Sequence, residues 1–383
     1  MRVLLDATAV PPDRGGVGRY VDELVPALVR AGMDLAVVCQ ARDEEAYSRL
    51  APSAPVVVGP PAIGRRPARL AWEQTVLPRL VRRLRADVLH SPHYTMPVRS
   101  PVPVVVTVHD ATFFSDLHLH SAVKGRFFRN ATRWAARHSA GLVVPSQATA
   151  DELARFVRTI TAPVTVAHHG VDLDFYTPAS QAEQQRVRTS LGLGDRPFVG
   201  FLGTLEPRKN LPALVRAWTT VAGRSPEAER PTLVLAGGRG WDTELDAAVD
   251  AVPAGLTVLR PGYLPLGDLP AFLTAATVVT YPSLGEGFGL PVLEAMACGA
   301  AVLTTRRLSL PEVGGDAVAY CDVTDTDIAS VLSDLLADPA RRQVLSEAAR
   351  ARAAQFTWDA SAASHLAAYR AATAGGDAFR PRC

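Results

Sequence analysis

Long apolar runs are missing from this 383-residue chain: no stretch approaches the ~20 apolar residues that a membrane span requires. Cysteine is scarce. Cys39, Cys298, Cys321 and Cys383 are scattered and form no C-x-x-C, so they read as reduced thiols of a cytoplasmic protein rather than a disulfide framework. The histidines show no H-x-x-x-H, and no Cys/His spacing suits zinc. Neither sign of charge dominates: the formal net charge is +2, which by itself argues for no nucleic-acid partner. G-x-G-x-x-G, G-K-[ST] and G-x-S-x-G are all absent, which counts against a nicotinamide dehydrogenase or a P-loop enzyme and leaves a hydrolase triad unsupported. Internal repeats and low-complexity blocks are lacking too. The opening "MRVLLDATAV" is too short, and acidic too soon, for a secretory leader; it reads as a first β-strand.

What is present is a repeated alternation of strand and helix. The hydrophobic content of 48% suits a folded α/β protein, and the length suits two domains. "RVLLDATA" is a strand, "DRGGVGR" a loop, and Val21, Leu24, Val25, Leu28 and Val29 recur at helical spacing until Gly32 ends the run. "DLAVVCQ", "ADVLHSP", "PVPVVVTVHD" and "AGLVVPS" continue the strands, and Ser146 caps a following helix. The pattern restarts at "RPFVGFLG" and runs through "PTLVLAGG", "LTVLRPG", "ATVVTYPS" and "AAVLTT". Such β-α-β units imply parallel sheets. The polar stretch from Phe175 to Arg188, with Pro178 and little periodicity, reads as the linker. The expected organisation is an N-terminal Rossmann-like domain over residues 1–175 and a second over 176–358. A C-terminal helix over 359–383 returns to the first, and the two domains face a central cleft. Ligands of such sheets sit at the C-terminal strand edges, so the informative residues should follow strands.

They do. "EGFGLPVLEAMACG", Glu286 to Gly299, follows the strand "TVVTYPS". Glu286 falls in the loop and Glu294 in the early turns of the helix that Pro291 opens. Gly287 and Gly289 allow close backbone approach to a ligand. A lone glutamate at such a place more often complements the helix dipole; a pair flanking a glycine loop suits the hydroxyls of a sugar. "GTLEPRKN", Gly203 to Asn210, follows "FVGFL". Its adjacent cations, Arg208 and Lys209, suit a diphosphate: arginine binds phosphate through two parallel N–H groups, and lysine acts as a point charge. "DRGGVGRY" is a glycine loop between the first strand and its helix. "VVTVHDATFF" puts His109 and Asp110 at a strand end, and His90 and His93 follow another strand; those two are as readily structural as acceptor-binding.

The E-x7-E spacing followed by "AMACGAAV" resembles the signature of retaining, nucleotide-sugar-dependent glycosyltransferases of the GT-B fold, family 4, over nearly the whole chain. The resemblance implies that Glu286 contacts donor-sugar hydroxyls and that Glu294 holds the nucleotide ribose. Backbone groups of Phe288, Gly289 and Leu290 would then lie against the sugar and diphosphate. It also implies a phosphate-binding lysine at Lys209. Where many members carry an arginine directly after Gly203, this chain has Thr204, which makes Arg208 the candidate second cation. Gly15 and Gly16 would supply amides to the donor phosphates, His109 would hydrogen-bond the transferred sugar, and Asp110 would orient the imidazole or reach the acceptor. The activity implied is hexose transfer to an acceptor hydroxyl by a metal-independent front-face mechanism, with no cofactor. "DATAVPPDRGGVGRY" and "GTLEPRKN" look most like mannosyltransferases, which favours mannose and a GDP-sugar. Two other readings compete: a phosphorylase or synthase of the same fold, and a non-catalytic nucleotide- or polyanion-binding protein.

"DLD", Asp172 to Asp174, matches D-x-D, but it lies at the domain junction, where metal binding is not expected. Seven arginines between Arg65 and Arg85 are opposed only by Glu73, with Trp72, Val76, Leu77, Leu80, Val81 and Leu84 interleaved. The segment reads as a helix with a solvated arginine face or as a peripheral contact with an anionic membrane; "KGRFFRNATRW" repeats the theme more weakly.

Overall fold

A computed structural model of the chain describes residues 1–115 and 122–374. Cys383 and the end of the expected 359–383 helix, from 375 onward, lie outside the described residues. Two compact units are formed, one from Met1–Gly170 with the chain from Thr357 onward, the other from Val171–Phe356. The division thus falls a few residues before the expected junctions after 175 and 358. The reason is local: the Val171 N–H donates to the Phe356 carbonyl at 3.0 Å, closing the second unit. Gly170 packs against the backbone of Thr357 and Trp358, where a Cβ would collide.

The first unit holds β1 Arg2–Asp6, β2 Asp34–Cys39, β3 Val56–Val58, β4 Val88–Ser91, β5 Val104–Thr107, β6 Gly141–Val144 and β7 Val164–Val166. They form a sheet in the order β3-β2-β1-β4-β5-β6-β7, parallel throughout. The second unit holds β8 Phe198–Leu202, β9 Thr232–Ala236, β10 Val258–Gly262, β11 Val278–Tyr281, β12 Val302–Thr305 and β13 Ala319–Cys321. Their order is β10-β9-β8-β11-β12-β13, again parallel. The central strands are buried along their whole length, as helices on both faces demand, so their sequences are unbroken apolar runs rather than alternating ones. In each sheet the strand order reverses beside the unit's first strand, between β1 and β4 and between β8 and β11. Ligands of open parallel sheets bind outside the strand ends at that reversal.

Two sequence expectations are corrected. The linker read over Phe175 to Arg188 is mostly helix, Gln181–Ser190, opened by a capping box in which Ser180 and Glu183 serve each other's backbone amides. Only Val187 is buried in that helix, so the hydrophobic periodicity that normally reveals one is missing. The basic segment is two short helices, Arg66–Thr75 and Leu77–Arg83. Arg69 is not on the solvated face: it is buried against Glu73 at 3.0 Å, and Thr95 also donates to Glu73 at 2.6 Å.

The C-terminal helix Trp358–Ala374 packs on the helix Gly15–Arg30 and on the ends of β4 to β7, all within the first unit. A chain of buried hydrogen bonds anchors it. His365 Nδ1 lies 2.7 Å from the Ser361 carbonyl, which can only accept, so Nδ1 carries the proton. His365 Nε2 therefore accepts from the Tyr20 hydroxyl at 2.7 Å. Tyr20 oxygen in turn accepts from Thr107 at 2.9 Å, and Thr107 from His90 Nε2 at 2.8 Å. His90 Nδ1 is left to accept from Tyr369 at 2.8 Å. Every proton points one way and every member is neutral. Burial lowers His90 and His365, the latter to about 4. His90 is fully buried and both its ring nitrogens are engaged in this chain.

Candidate active site

At the reversal of the second sheet, β8 runs out at Gly203, whose N–H still donates to Ala236 at 2.9 Å and is thereby used by the sheet edge. Thr204 accepts from the Glu206 amide at 2.9 Å, and a 3-10 turn over Pro207–Lys209 follows. Asn210, in the left-handed region at φ 57°, ends the turn and donates to the Val323 carbonyl at 2.8 Å before the helix Leu211–Arg224 begins. On the neighbouring strand, β11 leads into the glycine loop. Gly289 takes φ 107°, closed to ordinary side chains, and Leu290 and Pro291 start the helix Leu290–Ala297.

The two loops meet through charge. Lys209 Nζ donates to Glu286 Oε1 at 2.6 Å. Arg208 donates to the other Glu286 oxygen and, at 2.8 Å, to the Gly285 carbonyl. Its second amino group reaches Glu206 at 2.6 Å, and Lys209 lies 3.9 Å from the same carboxylate. Burial raises the Glu286 carboxyl, but the Arg208 and Lys209 charges outweigh it and hold the group at about 2, ionised at any ordinary pH. Glu286 is thus no solvated loop residue; both its oxygens are clamped by cations.

The glycine loop is also held from behind. Thr304 donates to Tyr281 O at 2.8 Å and Thr305 to Ser283 O at 2.7 Å. Ser309, fully buried, shares its hydroxyl between the Glu286 and Phe288 carbonyls, 2.8 Å from each. The Phe288 ring packs edge-on to Phe356. Glu294 is buried on the helix Leu290–Ala297. Sequence reading missed Glu206 and Ser309. Glu206 could have been found as the acid directly before "PRK"; Ser309, beyond the next strand, carries no local signal.

In the first unit, Gly15 and Gly16 open the helix Gly15–Arg30 rather than lying in the loop before it. Gly15's amide donates to the Asp13 carbonyl at 2.6 Å across a turn centred on Arg14. Arg14 takes φ 54° and ψ −60°, a strained conformation for a side-chain-bearing residue. Its guanidinium is held 3.1 Å from both Asp22 and Asp43, which fixes the turn. His109 and Asp110 follow β5, but Asp110 does not orient the imidazole. Its Oδ1 accepts from the Thr112 amide and hydroxyl at 3.1 and 2.8 Å, serving the next helix. The Pro92 carbonyl orients the ring instead, accepting from Nε2 at 2.7 Å and leaving Nδ1 as the acceptor. Burial lowers His109, so the ring is neutral.

Asp172 of the D-x-D match accepts from the Asp174 and Phe175 amides at 3.0 and 3.2 Å, a turn-capping role. Among the described residues no group of three or more His, Cys, Asp or Glu is arranged to hold a metal. No described helix is long and apolar enough to cross a membrane.

The model of Glycosyltransferase Family 4 matches residues 14–175, and that of Glycosyl transferases group 1 matches residues 183–352. The chain is 31% identical over 401 residues to a D-inositol 3-phosphate glycosyltransferase of Actinosynnema mirum, covering 96% of this chain and 94% of that one. The chain belongs to the family 4 glycosyltransferases. This glycosyltransferase is also 30% identical over 308 residues to the O-antigen chain mannosyltransferase B of Escherichia coli, with 79% and 77% of the two chains covered. Its fold is the GT-B fold. Sucrose-phosphate synthase from Thermosynechococcus elongatus superposes with a TM-score of 0.78 at 20% identity, covering 98% of this chain and 100% of that one. Anabaena Alr3699/HepE, solved with UDP-glucose, superposes with a TM-score of 0.74 at 19% identity, covering 96% and 99%.

Proposed function

We propose that the glycosyltransferase moves a hexose, mannose in preference, from a nucleoside diphosphate sugar, GDP in preference, to an acceptor hydroxyl with retention of configuration. The observation that carries this reading is the pairing of Arg208 and Lys209 with Glu286 at the strand reversal between β8 and β11. There the protein offers two cations to a diphosphate, and no metal or cofactor is assigned a part. The similarity to a mannosyltransferase supports the sugar. Glu294 is assigned to the ribose and Glu286 to the sugar hydroxyls.

The clamping of both Glu286 oxygens disfavours a covalent intermediate on that carboxylate and supports front-face transfer. The bond from the anomeric carbon to the phosphate oxygen breaks. The acceptor oxygen bonds to the same face, and its proton passes to the departing diphosphate. Arg208 and Lys209 stabilise the charge that accumulates there. The acceptor is a polysaccharide, a lipid-linked sugar or a small natural product. Arg65, Arg66, Arg79, Arg82, Arg83 and Arg85 are exposed and supply the cationic face for a peripheral contact at the inner side of a membrane.

The test is a thermal-shift screen of GDP-, UDP-, ADP- and TDP-sugars, followed by turnover with and without a chelator and by NMR assignment of the product anomer. The expected result is a raised Tm with one donor class, turnover that survives chelation, and the donor's own anomeric configuration in the product. Turnover abolished by chelator and restored by magnesium or manganese, or an inverted product, would overturn the mechanism.

A further inference from the structure

The cluster at the end of β8 holds two cations and two carboxylates, and only one of the carboxylates has a part in the reading above. Glu286 is locked in place. Its side chain is clamped by both cations, and its carbonyl is held by Ser309 at 2.8 Å. Glu206 is built differently. Its backbone holds the turn, through an N–H to Thr204 and a carbonyl to Lys209, both at 2.9 Å. Among the described residues its side chain is joined to the two cations, at 2.6 Å to Arg208 and 3.9 Å to Lys209. It is therefore free to swing away without undoing the turn, and it competes with any anion for the same guanidinium.

We propose that Glu206 is a countercharge that weakens the hold of this site on the departing nucleoside diphosphate more than on the donor. The proposal rests on the diphosphate reading of Arg208 and Lys209. Its physical basis is the change in ligand charge during turnover. In the donor, the terminal phosphate is esterified to the sugar; in the product, that oxygen is free and ionisable. A carboxylate beside the phosphate cations therefore repels the product more strongly than the donor. Its cost to donor binding is the smaller one, and its benefit falls on release, a step that limits turnover in many transferases. Glu206 does not touch the reacting atoms; it sets the charge and position of Arg208.

The experiment is calorimetry of free GDP and UDP, and of the matching nucleotide sugars, on the intact chain at low salt. Wild type is compared with Glu206→Gln, which keeps an acceptor for Arg208 and removes the charge, and with Glu206→Ala. Circular dichroism checks folding. Removing a charge a few ångströms from a diphosphate in a partly buried site should tighten free diphosphate binding on the order of tenfold. The sugar donor should gain less, and steady-state kcat should fall while the first turnover stays fast. A residue with a purely structural role would give weaker binding of both ligands, which overturns the proposal, as does unchanged affinity in a folded variant or failure of both variants to fold. Wild type binding none of the diphosphates would overturn the diphosphate reading itself. Wild type binding normally with no tightening in the variants would overturn the role of Glu206 alone.

Discussion

The two units share a sheet plan, three strands wound one way and the rest the other, yet the largest polar cluster in each is satisfied differently. All nine histidines of the chain belong to the first unit's segments, and the stretch from Val171 to Phe356 has none. The first unit buries neutral rings and hydroxyls, linked from Ser361 to Tyr369 with each proton assigned. The first unit also buries an ion pair, Arg69 with Glu73, but at the end of its first strand β8 the second unit gathers two cations against Glu286 and Glu206. The difference shows two ways to satisfy polar groups on one architecture. A neutral network joins distant parts of the chain and has no charge to attract a ligand; an ionic cluster holds charges that an ionic ligand could pair with.

The largest expected effect tests the ionic side. Lys209→Ala should lower kcat about a hundredfold, roughly 3 kcal/mol of transition-state stabilisation, with a smaller change in donor affinity. Steady-state kinetics that show only a raised donor KM would mean that the cation binds ground and transition states alike.

The neutral side breaks by stability instead. His90→Leu removes the buried donor to Thr107 and the buried acceptor of Tyr369 and should cost about 2 to 3 kcal/mol. Urea unfolding followed by separate probes in the two units should show the loss in the first. An equal loss in the second would dissolve the contrast. Next comes ribose binding: Glu294→Ala should weaken free nucleoside diphosphate by roughly 2 kcal/mol, read by calorimetry, whereas Glu286→Gln should not weaken it. Equal weakening by both would mean that the two glutamates share one role.

Acid should separate the units most gently. His365 has its folded pKa lowered to about 4 from an unfolded value of about 6.5, so the unfolded chain binds the proton first. Its contribution is complete above about 6.5 and declines as pH falls towards 4, at most about 1.4 kcal/mol per pH unit. Glu286 has a folded value of about 2 against an ordinary 4.5, so its contribution is complete above about 4.5 and is lost below that. Near pH 5.5 the first unit should therefore be weakened and the second should not, as thermal unfolding across pH would show. Simultaneous weakening of both would put another titrating group in the second unit.

Much of this was legible in the sequence, because it is local. Strand, glycine loop and helix follow one another within "TVVTYPSLGEGFGLPVLEAM", and the cation pair stands just after "FVGFL". The apolar runs determined parallel sheets buried on both faces. Short-range chemistry also placed Gly289 and Pro291 at a helix start. The helix Gln181–Ser190 escaped notice because it buries almost nothing, and its capping box is a polar signal inside a polar run.

The tertiary structure alone decided partnership. Arg208 and Glu286 are 78 residues apart and meet because β8 and β11 are neighbours in the sheet. Ser309 lies 23 residues beyond the loop it holds. Pro92 took the place expected of Asp110 beside His109, and the proton order of the histidine chain depends on Tyr20 and His365, 345 residues apart. The sequence by itself determined which groups stand at the ends of strands, since periodicity and glycine placement act over a few residues. Which of those groups neutralise one another, and which stay available to a ligand, follows from strand order, because Coulomb and hydrogen-bond energies depend on distance in space and not along the chain.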